Sequence, residues 1–281
     1  VLRLRNVPAL QGAAWVRRGM AAFGRRPLGF ASQIVAFFFA TMVVSLLLPG
    51  VGSVLALMAL PLLTLGAMAG TQQALQGGQV HPGQLVAPLR RPGPQRKSLL
   101  LLCALYGLLT LGVVLLTQWL MGDSVQQLES IYNGQGTPPE PATAADGTLL
   151  AALAVQAVGV SLLSVPFWHA PALVVWGGQG LGQALFSSTL AVWRCRGAFM
   201  VYALVWFGLT VMLGTAAALV ASLLGQPKLA ALAALPLALL VMTAFYASLW
   251  FTFVDSFELQ REPSAALPTD TPPDAPPVPP L

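Results

Sequence analysis

"FASQIVAFFFATMVVSLLLPGVGSVLALMALPLLTLGAMAG", residues 30–70, contains no Asp, Glu, Lys, Arg or His. At 1.5 Å per residue, about twenty apolar residues in helix cross the roughly 30 Å of a bilayer's hydrocarbon core, and this run is about twice that length. It is interrupted by Pro49 and Gly50, a tight turn. The stretch therefore reads as two antiparallel spans, 30–48 and 51–70. The same pattern recurs at 99–121, 148–167, 199–224 and 229–251. The last two of these are joined by only Gly225 to Lys228 and form another hairpin.

Composition agrees with this reading. Charged residues make up 8% of the 281 and hydrophobic residues 56%, whereas soluble domains carry roughly 25% charged residues. Too little polar surface remains to cover a soluble core. No charged, short-apolar, small-residue signal precedes the first block, so that block is expected to remain as a span. The expected fold is all-α and polytopic: six transmembrane helices as three helical hairpins, with basic amphipathic interfacial helices.

Charge sets the expected orientation. Arg3, Arg5, Arg17, Arg18, Arg25, Arg26, Arg90, Arg91, Arg96, Lys97, Arg194, Arg196 and Arg261 fall on one side of a six-span arrangement, and Lys228 on the other. The positive-inside rule then places both chain ends in the cytoplasm. A stretch at 122–147 carries Asp123, Glu129, Glu140 and Asp146 with no basic residue and suits the extracytoplasmic side. Residues 1–27 read as a cytoplasmic basic interfacial segment, 28–257 as the transmembrane domain, and 258–281, rich in proline, as a disordered cytoplasmic tail. The net charge of +5 is gathered beside apolar blocks, which favours lipid headgroups over nucleic acid.

Behind the spans lies a repeated unit. "AFGRRPLG" (22–29), "PLRRPGPQ" (88–95) and "VWRCRGAF" (192–199) each place a basic pair before two spans. Over residues 15–26, at 100° per residue, Trp15, Val16, Met20 and Phe23 share one face and Arg17, Arg18 and Arg25 the other. That pattern suits a helix lying on the bilayer surface. A looser version sets Leu181, Leu185, Phe186, Val192 and Trp193 against Ser187 and Arg194. The middle copy holds Pro82, Pro88, Pro92 and Pro94, which make a continuous helix doubtful. Arg17, Arg18, Arg25, Arg26, Arg90, Arg91, Arg194 and Arg196 are thus the expected headgroup contacts.

Two ionisable groups stand near span ends. His169, in "FWHAPALVVW" (167–176), follows Pro166 and neighbours Trp168. It reads either as a site for a proton, a phosphate or a substrate anion, or as an interfacial anchor where a helix leaves the membrane. Asp255, in "FTFVDSFE" (251–258), lies on the same side and would pair with His169 or an interfacial arginine. Within the spans the polar residues are Gln33, Gln118, Gln156 and scattered Ser and Thr, without a midpoint carboxylate. That pattern weighs against ion coupling. Gly66 with Gly70, and Gly214 with Ala218, are small-residue pairs suited to close helix approach. Cys103 and Cys195 read as ordinary thiols. No hydrolase, zinc or phosphate-binding motif is present, so no enzyme, metal or cofactor is expected.

The stretches "VPALQGAAWVRRGMAAFGRRPLGF", "LLPGVGSVLALMALPLLTLGAMAG", "FWHAPALVVW" and "FTFVDSFE" together resemble a family of multi-span inner-membrane proteins from Burkholderia-type β-proteobacteria. The resemblance covers nearly the whole chain except the acidic stretch and the proline tail. It implies a bacterial cytoplasmic membrane and a helical fold, and no reaction. Two functions follow as expectations. The first is a non-enzymatic accessory protein for membrane organisation, lipid handling or assembly, with anionic lipids and a protein partner or second copy as its contacts. The second is a small-solute transporter or channel built from three hairpin repeats.

Overall fold

The computed structural model describes residues 2–90, 93–121 and 147–259. Arg91, Arg261, nearly all of the acidic stretch and nearly all of the proline tail lie outside the described residues. The described chain forms helices α1 (Gln11–Arg25), α2 (Pro27–Leu47), α3 (Val51–Leu75), α4 (Ala87–Arg90), α5 (Pro94–Met121), α6 (Gly147–Phe167), α7 (Ala170–Val175), α8 (Leu181–Arg194), α9 (Arg196–Leu223) and α10 (Pro227–Ser256). A short 3₁₀ turn, Pro82–Leu85, precedes α4, and strands β1 (Leu2–Leu4) and β2 (Phe257–Leu259) pair antiparallel. Six of the helical segments are long and apolar enough to cross a membrane.

The long helices extend past the apolar blocks at one end. α3 continues through Gln72 and Gln73 to Leu75, and α5 begins at Pro94, before Arg96 and Lys97. Polar residues do not stop a helix, so reading spans by apolarity trims the turns that pass through the headgroup layer. Both hairpin turns need a left-handed residue, met by Gly50 (φ 79°) and Gly225 (φ 64°).

Packing is tight at one end of the bundle and loose at the other. α3 lies against α2, α5 and α10, while α10 also packs on α1, α2 and α9. Leu65, Met68, Leu99, Leu102, Leu249 and Phe253 are buried where α3, α5 and α10 meet, and Trp15, Tyr202 and Phe251 are buried beside α1. At the far end, Leu46, Leu47, Leu223 and Leu224 are exposed, as are Phe39 and Phe207 along the shafts. Large apolar side chains facing outward along the spans are what lipid would cover.

The short basic elements follow a cyclic order. α1 packs on α9 and α10, the 3₁₀ turn packs on α3 and α2, and α8 packs on α6, α7 and α5. Each interfacial segment therefore sits on the hairpin that precedes it, and the first closes the ring on the last. The apolar face of α1 is covered by helices rather than lipid. Its buried residues are Gly12, Trp15, Val16, Gly19 and Ala22, while Met20 turns outward. The glycines make this possible, since a Cβ at Gly12 would overlap the backbone of Ala198 and one at Gly19 would overlap Ser248. On α8 the buried stripe is Ala184, Ser188 and Ala191, leaving Phe186 and Trp193 exposed.

Candidate functional site

Pro166 lies in the last turn of α6, and the helix ends at Phe167. The break leaves backbone groups that need partners. Ser188 of α8 supplies them: the His169 backbone N–H donates to Ser188 Oγ at 3.0 Å, and that hydroxyl donates to the Val165 carbonyl at 3.1 Å. His169 then opens α7, with Pro171 in its first turn. The imidazole is fully buried, its centroid 5.9 Å from Phe199, 5.9 Å from Phe253 and 5.4 Å from Phe257. Among the described residues neither Nδ1 nor Nε2 has a hydrogen-bond partner. The ring fills an aromatic cage.

Trp168 is half-buried in the same cluster. Its Nε1 donates to Thr252 Oγ1 at 3.2 Å, and its ring meets Phe199 edge-on at 5.5 Å. Its indole thus points at α10 rather than at a headgroup.

Asp255 is not brought to His169. Its Oδ2 accepts from Gln11 Nε2 at 2.8 Å, from Trp15 Nε1 at 2.8 Å and from the Arg18 guanidinium, all on α1. The Arg18 guanidinium also lies 4.7 Å from the centroid of Phe251. Three donors from one helix converge on one carboxylate oxygen and clamp α1 onto the end of α10. Arg18 is accordingly committed to Asp255 and Phe251, although its side chain stays partly exposed.

The remaining described arginines of the expected set do project outward. Arg17, Arg25, Arg26, Arg90, Arg194 and Arg196 are exposed. Arg26 also donates to the Gly77 carbonyl at 3.2 Å, and Arg196 lies 5.7 Å from the Trp193 ring. Arg25, Arg26 and Gln79 line a cleft of about 340 Å³ at the start of α2.

A larger feature is formed by residues that carry no motif in the sequence. A cavity of about 640 Å³ lies between the end of α3, the 3₁₀ turn, the start of α5 and the end of α7. Gln72, Gln73, Gln79, His81, Gln95 and Arg96 form its polar part. Leu65, Ala69, Leu99, Val175 and Trp176 form its apolar part. Its floor is organised from below. Gln33 Nε2 reaches Gln84 Oε1 at 2.6 Å and the Gly66 and His81 carbonyls at 3.2 Å each. Gln84 in turn donates to the Gln79 carbonyl at 3.2 Å. Gly66 and Gly70 admit this layer, for a Cβ on Gly66 would meet Leu85 and one on Gly70 would lie 3.0 Å from Gln33 Oε1. The available signal was the run of glutamines from 72 to 95, which look like ordinary loop residues until the chain is folded.

The six apolar helices with outward-facing apolar shafts, joined at one basic end, define a polytopic helical membrane protein. The chain is 31% identical over 269 residues to a probable inner membrane protein of Burkholderia thailandensis, covering 95% of this chain and 98% of the relative, and belongs to the same family. It is a multi-pass protein of the inner membrane. No protein-family model matches the chain, and no solved structure does.

Proposed function

We propose that this is a non-enzymatic accessory protein of the inner membrane that grips anionic lipid on the cytoplasmic side and supports membrane organisation, lipid handling or assembly of a partner. The observation that carries the reading is the placement of Arg17, Arg25, Arg194 and Arg196. All are exposed; Arg17 and Arg25 sit on α1, Arg194 ends α8 and Arg196 opens α9, at the end of the bundle where β1 and β2 bring the two ends of the described chain together. That end is cytoplasmic by the charge rule. Each basic residue near an anionic surface contributes on the order of 1 kcal/mol.

The test is native mass spectrometry of the protein released gently from its own membrane. Changing Arg17, Arg25, Arg194 and Arg196 to Gln is expected to remove most co-purifying anionic lipid. Unchanged lipid would sink the reading. The transporter reading has one observation in its favour, the polar cavity beside α3 and α5. Solute flux in liposomes that is lost on Gln72→Leu would replace the accessory role with transport.

A further inference from the structure

We propose that the cavity between α3, the 3₁₀ turn, α5 and α7 binds the phosphate-ester headgroup of an amphiphile. The inference rests on the lipid-handling reading and gives it a specific site. Three observations carry it.

The cavity is graded along its length. Along α3 its lining runs from Leu65 and Ala69 to Gln72 and Gln73, which spans about 12 Å of helix at 1.5 Å per residue. The apolar half lies within the spans and the glutamines lie at the basic end. A wholly polar solute would leave Leu65, Ala69 and Leu99 without a complement, and a hydrocarbon would leave the amides without one. An amphiphile matches both halves.

The polar half suits an anion bearing hydroxyl or ester oxygens. Among the described lining residues Arg96 is the cation and there is no carboxylate. Arg96 and Gln95 lie in the first turn of α5, a 28-residue helix whose dipole favours negative charge near its start. Side-chain amides both donate and accept, so Gln72, Gln73, Gln79 and Gln95 can serve phosphate oxygens and hydroxyls together.

The floor is held in place without the ligand. Gln33 is buried, and its two amide hydrogens are divided among three acceptors that include Gln84 and the His81 carbonyl. The turn that carries Gln79 and His81 is thereby fixed against α2 and α3. Preorganisation of this kind lowers the cost of binding.

The experiment uses the full chain in phosphatidylcholine nanodiscs, titrated separately with short-chain phosphatidylglycerol and with glycerol 3-phosphate. Saturable binding of the short-chain lipid is expected. Arg96→Gln should weaken it about tenfold, as for loss of one charge-assisted contact. Ala69→Phe, which fills the apolar half, should abolish it, and Gln72→Leu at the half-buried rim serves as a second variant should Ala69→Phe disturb folding. Glycerol 3-phosphate binding as tightly as the lipid and indifferent to Ala69→Phe would overturn the amphiphile and leave a free phosphate ester in its place. Lipid binding that survives all three cavity variants but is lost on Arg17→Gln with Arg194→Gln would overturn the cavity while the surface reading stands. Loss through the cavity variants alone would uphold the cavity and sink the surface reading. Indifference to both sets would sink both.

Discussion

Asp255 and His169 contrast in kind: three donors converge on one carboxylate oxygen of the first, and among the described residues the ring nitrogens of the second have no partner. Asp255 accepts from Gln11, Trp15 and Arg18 together. Asp255→Ala would strand these groups, and a loss of about 2–4 kcal/mol is expected, read as a lower Tm of the purified protein. Arg18→Gln should cost less, because Arg18 is partly exposed and its guanidinium can still be hydrated. His169 reverses the argument. Its ring nitrogens are buried among Phe199, Phe253 and Phe257 without partners, and an unsatisfied buried polar group costs about 1–3 kcal/mol. His169→Phe is therefore expected to leave the Tm unchanged or raise it. A marked fall would mean that the ring nitrogens make a contact that stabilises the native state.

Among the elements, α1 shows how a helical wheel can be right about the period and wrong about the partner. The wheel places Trp15 and Val16 together, and both are buried, but against α9 and α10 rather than in lipid. What distinguishes the two environments is the pair Gly12 and Gly19, where the helices come too close for any side chain. Gly19→Leu should force α1 away from Ser248, with overpacking of about 1–3 kcal/mol. Faster tryptic cleavage after Arg18 would report the undocking, and an unchanged cleavage rate would show that α1 is not held there. On α8 the exposed Phe186 and Trp193, with Arg196 near the indole, keep the character of an interfacial helix. The middle basic segment is a 3₁₀ turn and a single helical turn, as its prolines led one to expect.

For the whole molecule, the pairing of Leu2–Leu4 with Phe257–Leu259 ties the first and last described segments together. Arg3 lies opposite Glu258, and directly opposed residues in an antiparallel pair stand about 4.5–5.5 Å apart at Cα, within disulfide range. Arg3→Cys with Glu258→Cys should cross-link within one chain under mild oxidation, seen as a mobility shift reversed by reductant. Cys103 and Cys195 are both buried, so they should interfere little. Failure to form the link would separate the two ends. Between the basic end and the Gly225 turn, α9 and α10 leave an apolar groove lined by Gly214, Ala218, Ala234 and Ala238.

The sequence by itself determined the spans, their number and the side on which positive charge collects. These depend on additive, local quantities: the length of apolar runs against bilayer thickness, and the count of Lys and Arg between them. It also marked Asp255 and His169 as unusual. Tertiary structure alone decided what each of them touches, because the partners come from α1, α8, α9 and α10, far apart in the chain. It likewise decided that Gln72, Gln79, Gln84 and Gln95 share one cavity. Glutamine has no period or spacing that announces a site, and only the docking of the 3₁₀ turn against α3 and α2 draws these side chains together.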